Sequence, residues 1–480
     1  MKKMFQLLAI LVIALYLSCS RGDEYNKSRL RAEELYMKSL NEVKYSDRLQ
    51  VMKDIVNISP DSEYGLFAQG FIFTDEKKYK EGTELFSKAI KKKEDFAESY
   101  FRRGSIKAEL HDFKGALQDY SKAIELGYSG YEVYFARGGA LFRTGRYGES
   151  VSDYGKVIEL KPAYAEAYNN RGLAKIKKTD YASAIKDFDK AVKFKSGYPE
   201  AYNNRGYARY RLRNYKEALV DCTKAIELNN HYYDAYHNRG DIKSDTGNYS
   251  GAIDDYNTAI SLKRDNAEVY NSRGYAMYRM GRYNEAMADY SIAIDQKENF
   301  ARAYYNRAIA REDTGDYKGA FKDYSIVIRL EPRDLFAYIG LGNIKEKARD
   351  YEGAIRDFNK AIELNPRYDK GYFARAYVKY KTGDYRGAVE DYSRIIEISP
   401  QNAEAYYSRG VAKENNNDLK GALADYNRAI ELKPGYARSY FERGELEIQI
   451  GMKDEACADY KKAVAMGYKI EKEKLEKCGK

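Results

Sequence analysis

Two ladders of ionisable residues run through this sequence at a constant spacing. Arg103, Arg137, Arg171, Arg205, Arg239, Arg273, Arg307, Arg375, Arg409 and Arg443 lie on one register of 34 residues, and Asp119 to Asp459 lie on another, each Asp sixteen residues after its Arg. A guanidinium fork matches a carboxylate with two parallel hydrogen bonds, so the chemistry on offer is an internal ion pair at each step or a row of anion sites. Matching favours the pair: every Arg has its Asp, and the one mismatch leaves Asp357 facing Leu341. Metal and hydrolytic chemistry have little material. The three His are His111, His231 and His237, and the four Cys (Cys19, Cys222, Cys457 and Cys478) lack zinc spacing. No phosphate loop, dinucleotide fingerprint or nucleophile elbow occurs. The expectation is a chain without catalytic residues, cofactor or metal.

A fixed register of charges requires a repeated element to carry it. Gly70, Gly104, Gly138, Gly172, Gly206, Gly240, Gly274, Ala308, Gly342, Ala376, Gly410 and Gly444 are each 34 apart, and taking them as position 8 defines twelve units from Glu63 to Ile470. Position 4 is Tyr in eleven of the twelve, position 20 is small from Gly82 to Ala456, and position 24 is aromatic except at Cys222. Six of the seven prolines, Pro60, Pro162, Pro332, Pro366, Pro400 and Pro434, stand at position 32, where Pro ends one helix and cannot continue another. Positions 4, 8 and 11 share one face of a first helix and 20, 24 and 27 share one face of a second. Gly at position 15, as in Gly145, Gly247, Gly281, Gly315, Gly383 and Gly451, makes the turn between them. Such a pair is too small to bury its outer faces and must stack on the next. The Arg at position 7 and the Asp at position 23 each border this helix-helix contact.

The spacing resembles the tetratricopeptide repeat, over about 85% of the chain, with Tyr in place of Trp at position 4 and a Lys, Arg or other residue at position 11 where the family usually has Tyr. The resemblance implies an all-α fold: one continuous right-handed superhelical solenoid of 34-residue helix-turn-helix repeats, binding partners rather than transforming them. Twelve repeats would occupy 63–470. Residues 29–62, with Tyr36 at position 8 and Arg48 at position 20, read as a degenerate N-terminal capping repeat, and 471–480 as a C-terminal capping helix.

The chain opens with Lys2 and Lys3, an apolar stretch from Met4 to Leu17, then Ser18, Cys19 and a polar run from Arg21. Fourteen helical residues span about 21 Å, short of the ~30 Å hydrocarbon core, so 1–18 reads as a signal peptide and 19–28 as a tether. The Cys directly after it resembles a bacterial lipobox, implying a lipid on Cys19, although Tyr16 and Leu17 depart from that pattern. The expected location is the cell envelope, lipid-anchored in the periplasm or at the outer membrane. In an oxidising compartment Cys457 and Cys478 could be bridged or stay free thiols, and Cys222 should be a core residue.

Composition narrows the partner. Hydrophobic residues make up 44% of the chain, charged residues 32%, and the mean hydropathy of -0.74 excludes a polytopic membrane protein. Loss of Lys2 and Lys3 takes the net charge from +10 to +8, too dilute to argue for nucleic acid. In the tetratricopeptide family, positions 2, 5, 6, 9, 12 and 13 line a concave groove that grips an extended peptide. Here position 6 carries Asn170, Asn204, Asn238 and Asn306, similar to the inner asparagine ladder of the glycosyltransferase-associated members, and positions 9 and 12 are both Tyr at Tyr207 and Tyr210, Tyr275 and Tyr278, and Tyr377 and Tyr380. These residues are the expected protein-binding groove, centred on repeats four to eight. A chaperone-tail clamp is not expected, because position 5 is never Lys and Asn343 at position 9 follows Ile339. The reading is a non-catalytic scaffold for protein or peptide partners, held to a membrane by an N-terminal lipid and binding no nucleic acid. The alternatives are a cytoplasmic or membrane-tethered assembly scaffold with an uncleaved anchor and, further off, a helical-repeat RNA-binding protein.

Overall fold

The computed structural model describes residues 22–40, 44–470 and 474–475. Every described element is an α-helix. In all twelve repeats the first helix runs from position 1 to position 13, as in Ala165–Lys177, and the second starts at position 17, as in Tyr181–Phe194. Repeats 2 and 12 end their second helices one residue early, at Glu125 and Ala465, because Gly127 and Gly467 turn left-handed at φ +88° and +85°.

The turn between the helices obeys one rule. Position 15 has positive φ in every repeat: six are the predicted glycines, and the other six are Lys77, His111, Thr179, Arg213, Arg349 and Asn417, at φ 59° to 64°. One residue later a side chain caps the second helix. Asp112, Asp180, Asp316, Asp350, Asp384 and Asp418, with Asn248, each accept a hydrogen bond from the backbone N–H three residues on.

Inside each repeat the close approach differs in detail from the expectation of position 8 against position 20. A Cβ on Gly172 would lie 2.6 Å from the Phe188 ring and one on Gly342 2.5 Å from the Phe358 ring, so position 8 is kept small mainly by the aromatic at position 24. At Gly206 the neighbour is the Sγ of Cys222, a fully buried cysteine, 2.8 Å away.

The chain divides into two compact units, 1–242 and 243–480. The first has its largest core at its N-terminal end, where Tyr36, Met52, Ile55, Tyr64, Phe67, Phe86, Phe96 and Ile106 pack together. The helix pair there is 22–39 followed by Tyr45–Ile58. Residues 22–28, expected in the tether, are already helical. The two residues that break the repeat pattern in this pair share one partner: the Tyr36 hydroxyl donates to Glu98 at 2.8 Å and Arg48 Nη2 donates to it at 2.6 Å, with Arg102 at 3.0 Å. Burial pushes the Glu98 carboxyl up, but Arg102 and Arg48 outweigh it and hold it below the usual carboxylate range. The second unit buries one core cluster after another, from Tyr324 and Val327, through Tyr392 and Ile395, to Tyr426 and Leu446. No helix among the described residues is long and apolar enough to cross a membrane. The signal segment 1–18, Cys19 and Cys478 lie outside the described residues, as does the expected capping helix 471–480 except for residues 474 and 475.

Candidate functional site

The Arg and Asp ladders meet. Arg205 Nε and Nη2 donate to the two oxygens of Asp221 at 3.0 and 2.7 Å, and the same fork joins Arg103 to Asp119, Arg273 to Asp289, Arg307 to Asp323 and Arg409 to Asp425. The carboxylates are almost fully buried, Asp221 and Asp323 being 1% exposed. A ladder of free anion sites is thereby excluded for these pairs. Two further partners escaped the sequence reading. The third guanidinium nitrogen reaches position 25 of the preceding repeat: Arg103 donates to Ser87 at 3.1 Å, Arg205 to Asp189 at 2.7 Å and Arg273 to Asn257 at 2.7 Å. Each of these Arg therefore ties one repeat to the next. The run of Ser, Asp and Asn at position 25 was the available signal.

The second partner is the cation at position 11. Lys175 and Asp187, Arg209 and Asp221, and Arg311 and Asp323 are each paired at 2.7 Å. The same position corrects the apparent orphan: Lys345 Nζ lies 2.7 Å from Asp357, supplying the charge that Leu341 does not. Burial still pushes the Asp357 carboxyl above the usual range, with Lys345 acting against it. Repeat 12 reverses the pattern. Glu447 stands at position 11, is 5% exposed, and has a carboxyl pushed up to about 7 by burial and then by Asp459.

The predicted groove residues divide by position. The asparagines form a ladder between repeats: Asn204 Nδ2 donates to Asn169 at 3.0 Å, Asn238 to Asn203 at 2.8 Å and Asn306 to Asn271 at 2.9 Å, while Asn170 Oδ1 accepts from Asn169 at 3.3 Å. Position 6 thus pairs with position 5 of the repeat before it. The tyrosines at position 12 turn inward onto the ring at position 17: Tyr210 on Tyr215, Tyr278 on Tyr283 and Tyr380 on Tyr385, at centroid separations of 6.1, 5.5 and 5.4 Å. Tyr278 also donates to Asp313 at 2.6 Å, and its phenol is raised by burial and by that bond. The tyrosines at position 9 range from half-buried to exposed. Tyr207 and Tyr275 accept from Arg211 and Arg279 one turn on, at 2.8 and 2.9 Å, and Tyr377 is 49% exposed.

The walls of the two units differ in charge. In the first, Arg143, Lys177 and Arg211 at position 13 are exposed, and neither Arg143 nor Lys177 joins an ion pair among the described residues. In the second, Glu312 and Glu346 at position 12 each accept from a Lys of the next repeat, Lys347 at 3.3 Å and Lys381 at 2.8 Å. Among the described residues no group of three or more His, Cys, Asp or Glu could hold a metal. Cys457 takes part in a disulfide; its expected partner Cys478 lies outside the described residues.

The geometry defines a class: an array of helix pairs joined by buried Arg-Asp forks, with a first-helix wall whose side chains change from repeat to repeat. Four models of the tetratricopeptide repeat match the chain, at 138–178, 240–281 and 274–315, at 373–437 and 407–467, at 199–232 and 336–368, and at 97–126 and 165–198. The chain is a tetratricopeptide-repeat protein. Similar solved structures include the Cut9-Hcn1 hetero-tetramer of the APC/C, 13% identical over 95% of this chain and 96% of that one with a TM-score of 0.42, and yeast Tom70, 18% identical over 87% and 94% with a TM-score of 0.38. A tetratricopeptide repeat protein from Parabacteroides merdae is 22% identical over 52% of this chain and 99% of that one, with a TM-score of 0.40. No curated protein matches.

Proposed function

We propose that the chain is a non-catalytic scaffold whose first-helix wall holds extended segments of protein partners, and that a lipid on Cys19 tethers it at the extracytoplasmic face of a bacterial envelope. One observation carries the binding half. The charges that recur along the array are consumed by the Arg-Asp forks, whereas residues that differ between repeats, such as Tyr377, Arg143 and Lys177, stay at the surface. Tyr offers a large contact area at small entropic cost together with a hydroxyl, a combination enriched where proteins bind. The tether rests on the apolar stretch before Cys19, and an oxidising compartment fits the disulfide at Cys457.

A photo-crosslinking residue at Tyr377 tests the wall against one at Val220, which is 64% exposed on a second helix. In intact cells a discrete adduct should form from position 377 and not from 220; equal labelling overturns the wall. Detergent partitioning tests the tether: the wild type should enter the detergent phase and Cys19→Ala should remain unprocessed or aqueous. A Cys19→Ala protein that matures at the same size and stays with membranes refutes lipidation.

A further inference from the structure

Repeat 3 carries two consecutive glycines inside its first helix, Tyr131–Arg143, and only one has a steric reason. A Cβ on Gly138 would lie 3.1 Å from the Tyr154 ring, a contact tighter than side chains normally make. A Cβ on Gly139 would meet only the Tyr154 hydroxyl, at 3.7 Å, an ordinary contact. Glycine in a helix interior weakens the helix, so Gly139 is a cost with no packing return. It stands at position 9, where the other repeats carry side chains such as Ser105, Leu173, Tyr207, Tyr275 and Tyr377. What the missing side chain leaves is a cavity of about 270 Å³ lined by Gly139, Phe142, Arg143, Tyr154, Asn170 and Leu173.

The lining states what would fit. Phe142, Leu173 and the Tyr154 ring supply apolar walls, and the depression has room for one large side chain. Arg143 adds an exposed cation without an ion-pair partner, and Lys177, at the same position of the next repeat, adds another. A basic ligand residue would be repelled here and an acidic one drawn in. We propose that the pocket opened by Gly139 takes an aromatic or large aliphatic side chain of an extended segment with a carboxylate beside it, paired with Arg143. This rests on the reading of the first-helix wall as a peptide-binding surface, and assigns an acidic, apolar-anchored ligand to the wall of the first unit.

The test uses fluorescence anisotropy of the full chain in detergent with three labelled Gly-Ser peptides, carrying Phe between two Glu, Phe between two Lys, or Ala between two Glu. The Phe-Glu peptide should bind at least ten-fold more tightly than either other peptide. Gly139→Leu, which fills the cavity, should weaken that binding at least ten-fold while melting at or above the wild-type temperature. Arg143→Glu, an exposed change, should shift preference to the Phe-Lys peptide. Equal binding of the three peptides, preference of the wild type for the Lys peptide, no binding of any of them, or wild-type affinity in Gly139→Leu overturns the proposal. Those failures leave the wall reading to the crosslinking from position 377, which requires no contact with this pocket.

Discussion

The seam between the two helices of each repeat and the wall formed by the first helices are built from the same helices, yet differ in how their polar groups are satisfied. At the seam an Arg fork, an Asp and often a cation at position 11 close on one another away from water, and the pattern recurs with little change. On the wall, partners are borrowed from the preceding repeat, as Asn204 does with Asn169 and Lys381 with Glu346, or are lacking among the described residues, as at Arg143. A satisfied buried network holds geometry; an exposed group without a partner is free to bind. In this array recurrence marks what holds the repeats together, and variation marks the surface on which the repeats differ from one another.

The largest effect is expected from breaking the seam. Asp221 is 1% exposed and is shared by Arg205 and Arg209, so Asp221→Ala removes the fork and leaves the two cations only Asp189 of the preceding repeat, which should cost about 3 kcal/mol. Because a repeat array need not unfold in one step, the loss is best read from hydrogen exchange in the helix Tyr215–Leu228, which should open far sooner than the helix Tyr385–Ile398. A change under about 1 kcal/mol would mean that the forks behave as surface ion pairs.

Repeat 12 offers a seam whose strength depends on pH. Glu447 occupies the place of a cation, and Asp459, Glu455, Arg443 and Lys462 surround it electrostatically. Its carboxyl titrates near 7 in the fold against an ordinary 4.5, so the fold favours the protonated form. That stabilisation is complete below about 4.5 and is lost as pH rises through about 7. Hydrogen exchange in the helix Lys453–Ala465 should therefore be faster at pH 8 than at pH 5 after correction for intrinsic rates, and Glu447→Gln should flatten the difference. Glu447→Lys should restore a pair with Asp459 of the kind Lys413 makes with Asp425 at 2.8 Å, and slow exchange at pH 8. Equal pH profiles in Glu447→Gln and wild type would show that another group is responsible.

On the wall, the tyrosines at positions 9 and 12 should separate. Tyr278→Ala removes a ring packed on Tyr283 and a bond to Asp313, and should cost about 1 kcal/mol. Tyr377→Ala removes an exposed ring; melting should be nearly unchanged while capture of a crosslinked partner falls. A collapse of melting in Tyr377→Ala would place position 9 in the core.

How much of this was legible in the sequence depended on whether a feature recurs. The helices, the turn at position 15 and the Arg-Asp forks follow from the 34-residue register, because each appears many times and chance alignment averages away. The Asn204 to Asn169 bond joins residues 35 apart, one more than the period, and so links two registers that the 34-residue repeat keeps apart. Tyr210, Tyr278 and Tyr380 share the helical spacing of the groove, and a bulky ring at position 12 also lies near enough to the aromatic at position 17 to pack on it, a contact that spacing alone does not show. Glu447 could have been flagged as the one acid at position 11; its burial could not, since burial depends on the packing around it.

The smallest effect is expected at the turn, where repeats with glycine and repeats without it adopt the same backbone. Gly145 and Thr179 both occupy position 15, at φ 77° and 62°. A β-branched residue is the poorest tenant of the left-handed region, where an L side chain crowds the following carbonyl at a cost of about 1 to 2 kcal/mol. Glycine avoids that crowding but has more freedom to lose on folding, which takes back part of the gain. Thr179→Gly should therefore stabilise repeat 4 by roughly 0.5 to 1 kcal/mol, seen as slower exchange across Ala165–Lys177 and Tyr181–Phe194. Gly145→Thr should destabilise repeat 3 by at least as much. If Thr179→Gly is neutral or destabilising, the 2.6 Å bond from its hydroxyl to the Lys178 carbonyl contributes as much as the strain removes.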